Sequence, residues 1–578
     1  YYTYELMFSI YYNKNNNSML FEDLEKKDFQ KVQNFVPLYL NYFNLDEKNY
    51  NSINLNQKYN INSIIKQNSN NTFNVSCVDN SGNKIKVESF FKFSPLLDPV
   101  KFMVGKYKNI TKEKLTSLPQ LNNTNVHAKV LDKNNSAYVD SFFSYLTSQL
   151  YHKAGFTHGL DFYGSFLGIK NELKLNVYDD LEYLFDSDFF HKQKNKLFDM
   201  DDVDEERLLE GDTRNYRKKI VVESEDINLE VQSIDNTFMD EVFELTQENL
   251  EKHNNEIKEE YSVFNNNKDN KSEKRTNSTC SSRTSNTSKG ELEESEDSSG
   301  LESCENSQMS EYSSLSEENV YALIKDFPVQ IICLEKMDNT LDSLLDKEDE
   351  DSDSECEDLS KEEWSSCLFQ IIMMLITYQK VFEFTHNDLH TNNIMYQKTD
   401  RKFINYRYND TYYRVPTYGK IYKIIDFGRA IYSFNNKTIC SDSYHSKGDA
   451  ATQYNFEPYF NDKKPRLKPN KSFDLCRLAC SLYDFFVDDI ENEKKIKNPV
   501  AKLIIKWTKD DKGRNILYKN NGEERYPDFK LYKMIVRTVH NHIPENEIEN
   551  SLFSSYKSSK KKIKKGKIIN IDKINPMI

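Results

Sequence analysis

Hydrophobic and polar positions change period several times along the chain, and the changes mark out elements. From Thr72 to Ser94, Phe73, Val75 and Cys77 alternate with polar residues, Asp79 to Asn83 carries turn chemistry around Gly82, and Val87 to Phe93 is strand-like again. This predicts a hairpin running into a further strand. Between 136 and 153, Tyr138, Phe142, Tyr145, Leu146 and Leu150 fall at helical spacing behind Asn134 and Asn135 as caps, which predicts a helix. Residues 160–170 read as a strand, and PVQIICLEKM, from Pro328 to Met337, reads as a buried strand ending in a polar turn. A short helix is expected at Asn339 to Leu345, and a long one from near Ser360. Its apolar run, Cys367 to Phe384, is interrupted by Gln370, Gln379, Lys380 and Glu383, so it is read as a core helix too short to span a bilayer. Phe403, Tyr406 and Tyr408, then Tyr412, Tyr413 and Val415, alternate as a hairpin over 403–418.

Other stretches lack such periodicity. The first sixty residues mix Tyr, Phe and Asn and are read as an extension. From about 180 to 325 the chain is acidic, and 254–318 is almost free of apolar residues, so disorder is expected there, with a small hairpin at Lys218 to Ile234. A second acidic run covers Lys347 to Asp358, and Lys557 to Lys567 is a lysine-rich run expected to be a solvated tail. Contact of that tail with nucleic acid or a membrane is the minority reading.

Composition narrows the classes further. A chain of 578 residues exceeds a single core, and its formal charge of −14 argues against a nucleic-acid-binding surface over the whole protein. The nine cysteines include no Cys-x-x-Cys pair, which points to reduced thiols. Cys280 and Cys304 lie in the polar tract, while Cys476 and Cys480 fit a buried helix as small hydrophobes. No basic segment leads into an apolar one near the start, so no signal peptide is expected.

The strongest chemical signal is His386-Asn387-Asp388-Leu389-His390-Thr391-Asn392-Asn393, followed by a short strand Ile394 to Tyr396. Further on stands Ile424-Ile425-Asp426-Phe427-Gly428, then Asp474-Leu475-Cys476-Arg477-Leu478 in a helical segment. Phosphoryl transfer needs an acceptor for a hydroxyl proton and oxygen ligands for the metals that bridge the phosphates. Asp388, Asn393 and Asp426 are residues of those types. Each motif alone is weak, since Asn-Asn pairs are common in this chain and a lone Asp-Phe-Gly is more often a turn. Their order, between predicted strands and helices, lifts them.

These residues resemble the protein kinase superfamily, and more narrowly the serine/threonine kinases of giant DNA viruses, to which FKFSPLLDP, DFYGSFLGIK and PTYGKIYKIIDFGRAI are similar. The resemblance covers roughly 65–180 and 327–545. It implies an α+β, two-lobed kinase-like fold, with a β-rich N-lobe carrying a large acidic low-complexity insertion and a mainly helical C-lobe. The implied divisions are an extension at 1–64, N-lobe at 65–180, insertion at 181–326, last N-lobe strand and hinge at 327–345, an acidic loop at 346–358, C-lobe at 359–548 and a lysine-rich tail at 549–578.

By the same resemblance, Asp388 accepts or orients the hydroxyl proton, Asn393 and Asp426 bind Mg²⁺, and Lys92 holds the ATP phosphates with Asp140 as its helix partner. Leu334, Glu335 and Met337 would line the adenine side, while His386, Phe427, Gly428 and Asp474 support the loop. The implied activity is transfer of the ATP γ-phosphate to Ser or Thr of proteins, by a monomer inside an infected host cell or carried in the virion. Four departures accompany it. No Gly-x-Gly-x-x-Gly exists, and its place reads Gln67-Asn68-Ser69-Asn70-Asn71-Thr72-Phe73. Asn387 replaces an Arg, so no switch by phosphorylation of the activation loop is expected. No Ala-Pro-Glu follows Asp426, the nearest approximation being Phe456-Glu457-Pro458, and His390 replaces a Lys. The last feature resembles small-molecule kinases of the aminoglycoside and choline type, one alternative; an ATP-binding pseudokinase is the other.

Overall fold

Alternation in the first half builds one large antiparallel sheet. The computed structural model describes residues 8–123, 125–201, 320–345, 359–487, 490–563 and 567–578, all within one compact unit. Its first strands are β1 (Tyr12–Lys14), β2 (Phe29–Gln33), β3 (Ile53–Leu55), β4 (Tyr59–Gln67), β5 (Thr72–Asp79) and β6 (Lys84–Pro95). Then follow β7 (Phe162–Asn176), β8 (Phe198–Met200) and β9 (Tyr321–Glu335). Seven of them form a sheet of order β2-β7-β9-β6-β5-β4, with β8 pairing β9. Phe73, Val75 and Cys77 of β5 face its core, as their period-two spacing requires, and β9 is buried on both faces from Phe327 onward between β6 and β7. That register sets Lys92 opposite Ile332.

Two helices dominate the early part of the chain, α1 (Ser18–Glu25) and α2 (Ser136–Gln149). In α2, Asn135 caps the first turn by accepting from the Ala137 N–H, and its amide also donates to the Leu96 and Lys129 carbonyls. Residues Ala137 to Gln149 are all buried. The segment read as an extension is the reason: Tyr42 stacks on Phe142 at 5.0 Å, and Asn56 accepts from the Tyr145 hydroxyl at 2.5 Å. Residues 8–64 are therefore folded, and their β2 extends the sheet beside β7.

The second half is built around α3 (Lys361–Phe382). Ser360 and Glu363 form a capping box at its start, and Glu383, at φ 50°, ends it. Among the described residues α3 alone is long and apolar enough to cross a bilayer, contrary to the reading of its run as too short, yet it is buried inside the protein. Beyond it lie β10 (Asn339–Thr340, before α3 in the chain), β11 (Ile394–Lys398), β12 (Phe403–Tyr408), β13 (Thr411–Pro416) and β14 (Lys420–Ile424). Next come β15 (Ile431–Phe434), β16 (Lys437–Cys440), α4 (Phe473–Phe486), α5 (Pro499–Trp507) and α6 (Phe529–Thr538). Asn409 and Asp410, both at positive φ, make the tight turn of the β12–β13 hairpin that interrupts the β11–β14 pair.

Several boundaries differ from the sequence reading. Asn339 to Leu345 is not a helix but β10 followed by a 3₁₀ turn, Asp342–Leu344, because Asn339 and Thr340 pair with β11. Within 181–326, the helices Leu181–Phe185 and Asp188–Gln193 and strand β8 are folded, and β9 already begins at Tyr321. The lysine-rich tail contributes β17 (Lys557–Ser558) and β18 (Ile568–Asn570), which flank the β12–β13 hairpin in a four-stranded sheet. The hairpin expected at Lys218 to Ile234, Cys280, Cys304 and the run 346–358 lie outside the described residues. All six described cysteines, Cys476 and Cys480 among them, are free and buried.

Candidate active site

Where α3 ends, the chain turns into a loop held by distant buried groups. Thr385 exchanges two backbone hydrogen bonds with Ile431. The next two N–H groups, of His386 and Asn387, donate to the two carboxylate oxygens of Asp474, each at 2.9 Å. Asp474 is fully buried in the first turn of α4, and burial pushes its carboxyl up against the pull of His386 and those two donors. Asn387 adopts φ 66°, a conformation asparagine tolerates, and its amide donates to the Thr385 and Arg429 carbonyls while accepting from the Tyr454 hydroxyl at 2.6 Å. The residue in place of an Arg is thus saturated with neutral hydrogen bonds.

Asp388 comes next, and both of its oxygens face donors. The Tyr532 hydroxyl donates to Oδ1 at 2.8 Å, and Arg429 stands 3.6 Å from Oδ2. Burial pushes this carboxyl up, but Arg429, with Arg477 and the Tyr532 hydroxyl, outweighs it and holds it below the usual range. Desolvation lowers His390 to about 4, so its imidazole is neutral and Nε2 can accept from Asn393 Nδ2 at 3.0 Å. That amide also donates to the Asp388 carbonyl, at 2.9 Å. Its oxygen, Asn393 Oδ1, is buried without a hydrogen-bond partner among the described residues.

The β11–β14 pair carries this loop to the second motif. Asn393 accepts from the Ile425 N–H, and Ile394 pairs with Ile424, so the amide and Asp426 emerge at the same end of the pair. Asp426 sits at φ 62°. Its Oδ1 lies 3.0 Å from Lys92 Nζ, which also binds Asp140 Oδ2 at 2.7 Å. Asp140 Oδ1 accepts from the Phe427 N–H at 2.9 Å, and the Phe427 ring packs against Phe143 and His386. Asp therefore reaches Lys92 although it is shorter than Glu. Burial and the neighbouring Asp426 push the Asp140 carboxyl up, Lys92 opposing them, because two carboxylates share one ammonium. A second cation would relieve that imbalance.

The Asn393 amide oxygen, without a hydrogen-bond partner among the described residues, and the Asp426 carboxylate are hard oxygen atoms of the kind that ligate Mg²⁺. No group of three or more His, Cys, Asp or Glu side chains is arranged to hold a metal among the described residues. A metal shared with bound phosphates, rather than one in an all-protein cage, suits this donor set.

On the β9 side the predicted adenine residues are unequal. Leu334 gives its carbonyl to the Ser89 hydroxyl. Glu335 is turned inward: its N–H donates to the Asp161 carbonyl, and its carboxylate accepts from buried Lys423 and the Asp161 N–H. Met337 is buried, and its N–H has no backbone acceptor among the described residues. The turn from Asn68 to Asn71, in place of a glycine loop, is tied to β6 by the Phe91 N–H to the Asn71 carbonyl and Asn71 Nδ2 to the Phe91 carbonyl.

Asp388, Asp426 and Arg429 line one recess, together with Pro95, Lys129 and Asp449. Lys129 holds Asp442, whose carboxylate also accepts from the Ser136 N–H, so the stretch after β16 is pinned to the start of α2. Arg429, Tyr532 and Arg477 were not found from sequence. Arg429 directly follows Asp-Phe-Gly and was open to notice; Tyr532 stands on α6 with no local signal.

No protein-family model matches this chain. It is similar to uncharacterized protein 098R of Invertebrate iridescent virus 6, at 29% identity over 179 residues, covering 30% of this chain and 27% of that protein.

Proposed function

We propose that this protein is a Mg²⁺/ATP-dependent kinase that phosphorylates Ser or Thr hydroxyls of proteins, built on a two-lobed kinase-like fold. The observation carrying the reading is that Lys92 bridges Asp140 and Asp426, while Asp388, in the loop braced by Asp474, lines the same recess as Asp426. The order β4-β5-β6-β9-β7, with α2 supplying Asp140, and the helices α3 to α6 of the second half support the fold assignment. Likeness to an iridescent-virus protein is in keeping with a viral setting.

In this reading Lys92 binds phosphate oxygens, and the Met337 backbone meets adenine. Asn393 Oδ1 and Asp426 would hold Mg²⁺, which would supply neutralisation of charge on the phosphates. Asp388 orients the acceptor hydroxyl and receives its proton. The acceptor oxygen bonds to the γ-phosphorus, the bond from that phosphorus to the β–γ bridging oxygen breaks, and ADP leaves. Incubation with γ-labelled ATP and Mg²⁺ is expected to label casein-like proteins with the parent and not with Asp388→Asn. Equal labelling by both would remove the assignment.

A small acceptor is the second reading, supported by His390 in the loop, where the sequence resembles small-molecule kinases of the aminoglycoside and choline type. Offering sugars and amino alcohols beside proteins in the same assay separates the two, and ATP binding without turnover of any acceptor marks a pseudokinase.

A further inference from the structure

Asp388 has an unusual neighbour, supplied from far along the chain. Tyr532, on the second turn of α6, is buried, and its ring is stacked with Phe529 at 5.4 Å and packed near Phe473. Its hydroxyl serves two partners at once: it donates to Asp388 Oδ1 at 2.8 Å and accepts from Arg477 Nε at 3.0 Å. Arg477, on α4 one turn after Asp474, also lies over the ring at 5.1 Å, and Arg429 approaches it at 5.8 Å. The phenol is thus fixed on its faces and at its tip. A carboxylate oxygen has two lone pairs, so Oδ1 can hold this bond and still accept from an incoming hydroxyl.

We propose that Tyr532, oriented by Arg477, is a positioning residue that sets the rotamer of Asp388 for the phosphoryl transfer proposed above, on which this inference rests. The need for it follows from the loop. Within the loop the His390 ring meets the Asn393 amide at 3.0 Å, while the Asp388 carboxylate is met from outside the loop, by the Tyr532 hydroxyl. Arg429 cannot steady it alone, since it stands 3.6 Å from Oδ2 and binds Asp449 at 2.6 Å. With Tyr532 the carboxylate is gripped from the side of α6, while α4 braces the loop backbone below it through Asp474.

The test compares the parent, Tyr532→Phe, Asp388→Asn and the double variant, using the full chain and γ-labelled ATP. Tyr532→Phe keeps the ring and its stacking, so the thermal midpoint should stay with the parent. Its kcat is expected to fall about 10-fold while KM for MgATP stays within about twofold, because carboxylate orientation and not nucleotide binding is lost. In the Asp388→Asn background the same change should cost nothing more, because Tyr532 acts only through that carboxylate. A parental kcat in Tyr532→Phe, with Asp388→Asn inactive, overturns this inference and leaves the kinase reading standing. A faster Tyr532→Phe overturns it too, making the phenol a block. Equal rates in parent and Asp388→Asn, or no transfer by the parent, overturn both.

Discussion

The loop from Thr385 to Asn393 and the turn from Asn68 to Asn71 are both short and rich in asparagine, and they are held by opposite means. Loop contacts come from buried side chains far away in sequence: Asp474, Tyr454 and Tyr532. The turn holds itself, through Asn68 N–H to the Thr72 carbonyl and Ser69 to the Thr72 hydroxyl, with β6 as its other anchor. Buried polar groups that lose a partner cannot turn to water, whereas those of an exposed turn can. The loop should therefore be brittle, and the turn tolerant.

The largest expected effect lies at the loop's functional end. Asp388→Asn should reduce phosphotransfer by about 100-fold or more, the usual share of a general base, with the circular dichroism spectrum unchanged. Asp474→Ala strands two buried N–H groups and should cost about 3 kcal/mol in urea denaturation; a loss near zero would show that the loop is not braced from α4.

Matched asparagine changes sharpen the contrast. Asn387→Ala removes three hydrogen bonds at a left-handed position and is expected to cost about 2 kcal/mol. Asn71→Ala removes one bond at the turn and should cost about 1 kcal/mol or less, with MgATP affinity changed less than about threefold. If Asn71→Ala proved the more damaging in denaturation, the distinction between the two would fall.

Acidity gives the smallest effect. Because Asp388 is held below the ordinary carboxylate range by its cations and Tyr532, it stays ionised as pH falls and is protonated only beneath its lowered value. From pH 7 to pH 5 its protonation should lower kcat less than about twofold. An acid limb above pH 5 that persists with saturating MgATP and vanishes in Asp388→Asn would contradict that.

Much of this was legible in the chain because it is local. The period-two run of β5, the helix behind Asn135, the long helix beginning near Ser360, and each of the Asp388, Asp426 and Asp474 motifs sit within short windows. Lys92 and Asp140 were paired on likeness, and the ion pair between them joins strand β6 to helix α2. What escaped notice was aperiodic. Residues 8–64 lack a repeating pattern because their apolar side chains, Tyr42 for one, cover α2 piecemeal from coils and short strands.

Sequence by itself determined which residue types stand at the chemistry and in what order, since helix caps, strand alternation and a left-handed Asn are properties of a few neighbouring residues. Only the tertiary structure decided that Tyr532 reaches Asp388, that Glu335 turns inward to Lys423, and that the lysine-rich end pairs with the β12–β13 hairpin. Those contacts join residues far apart in the chain, and they form because each buried polar group must find a partner wherever the packed elements bring one within reach.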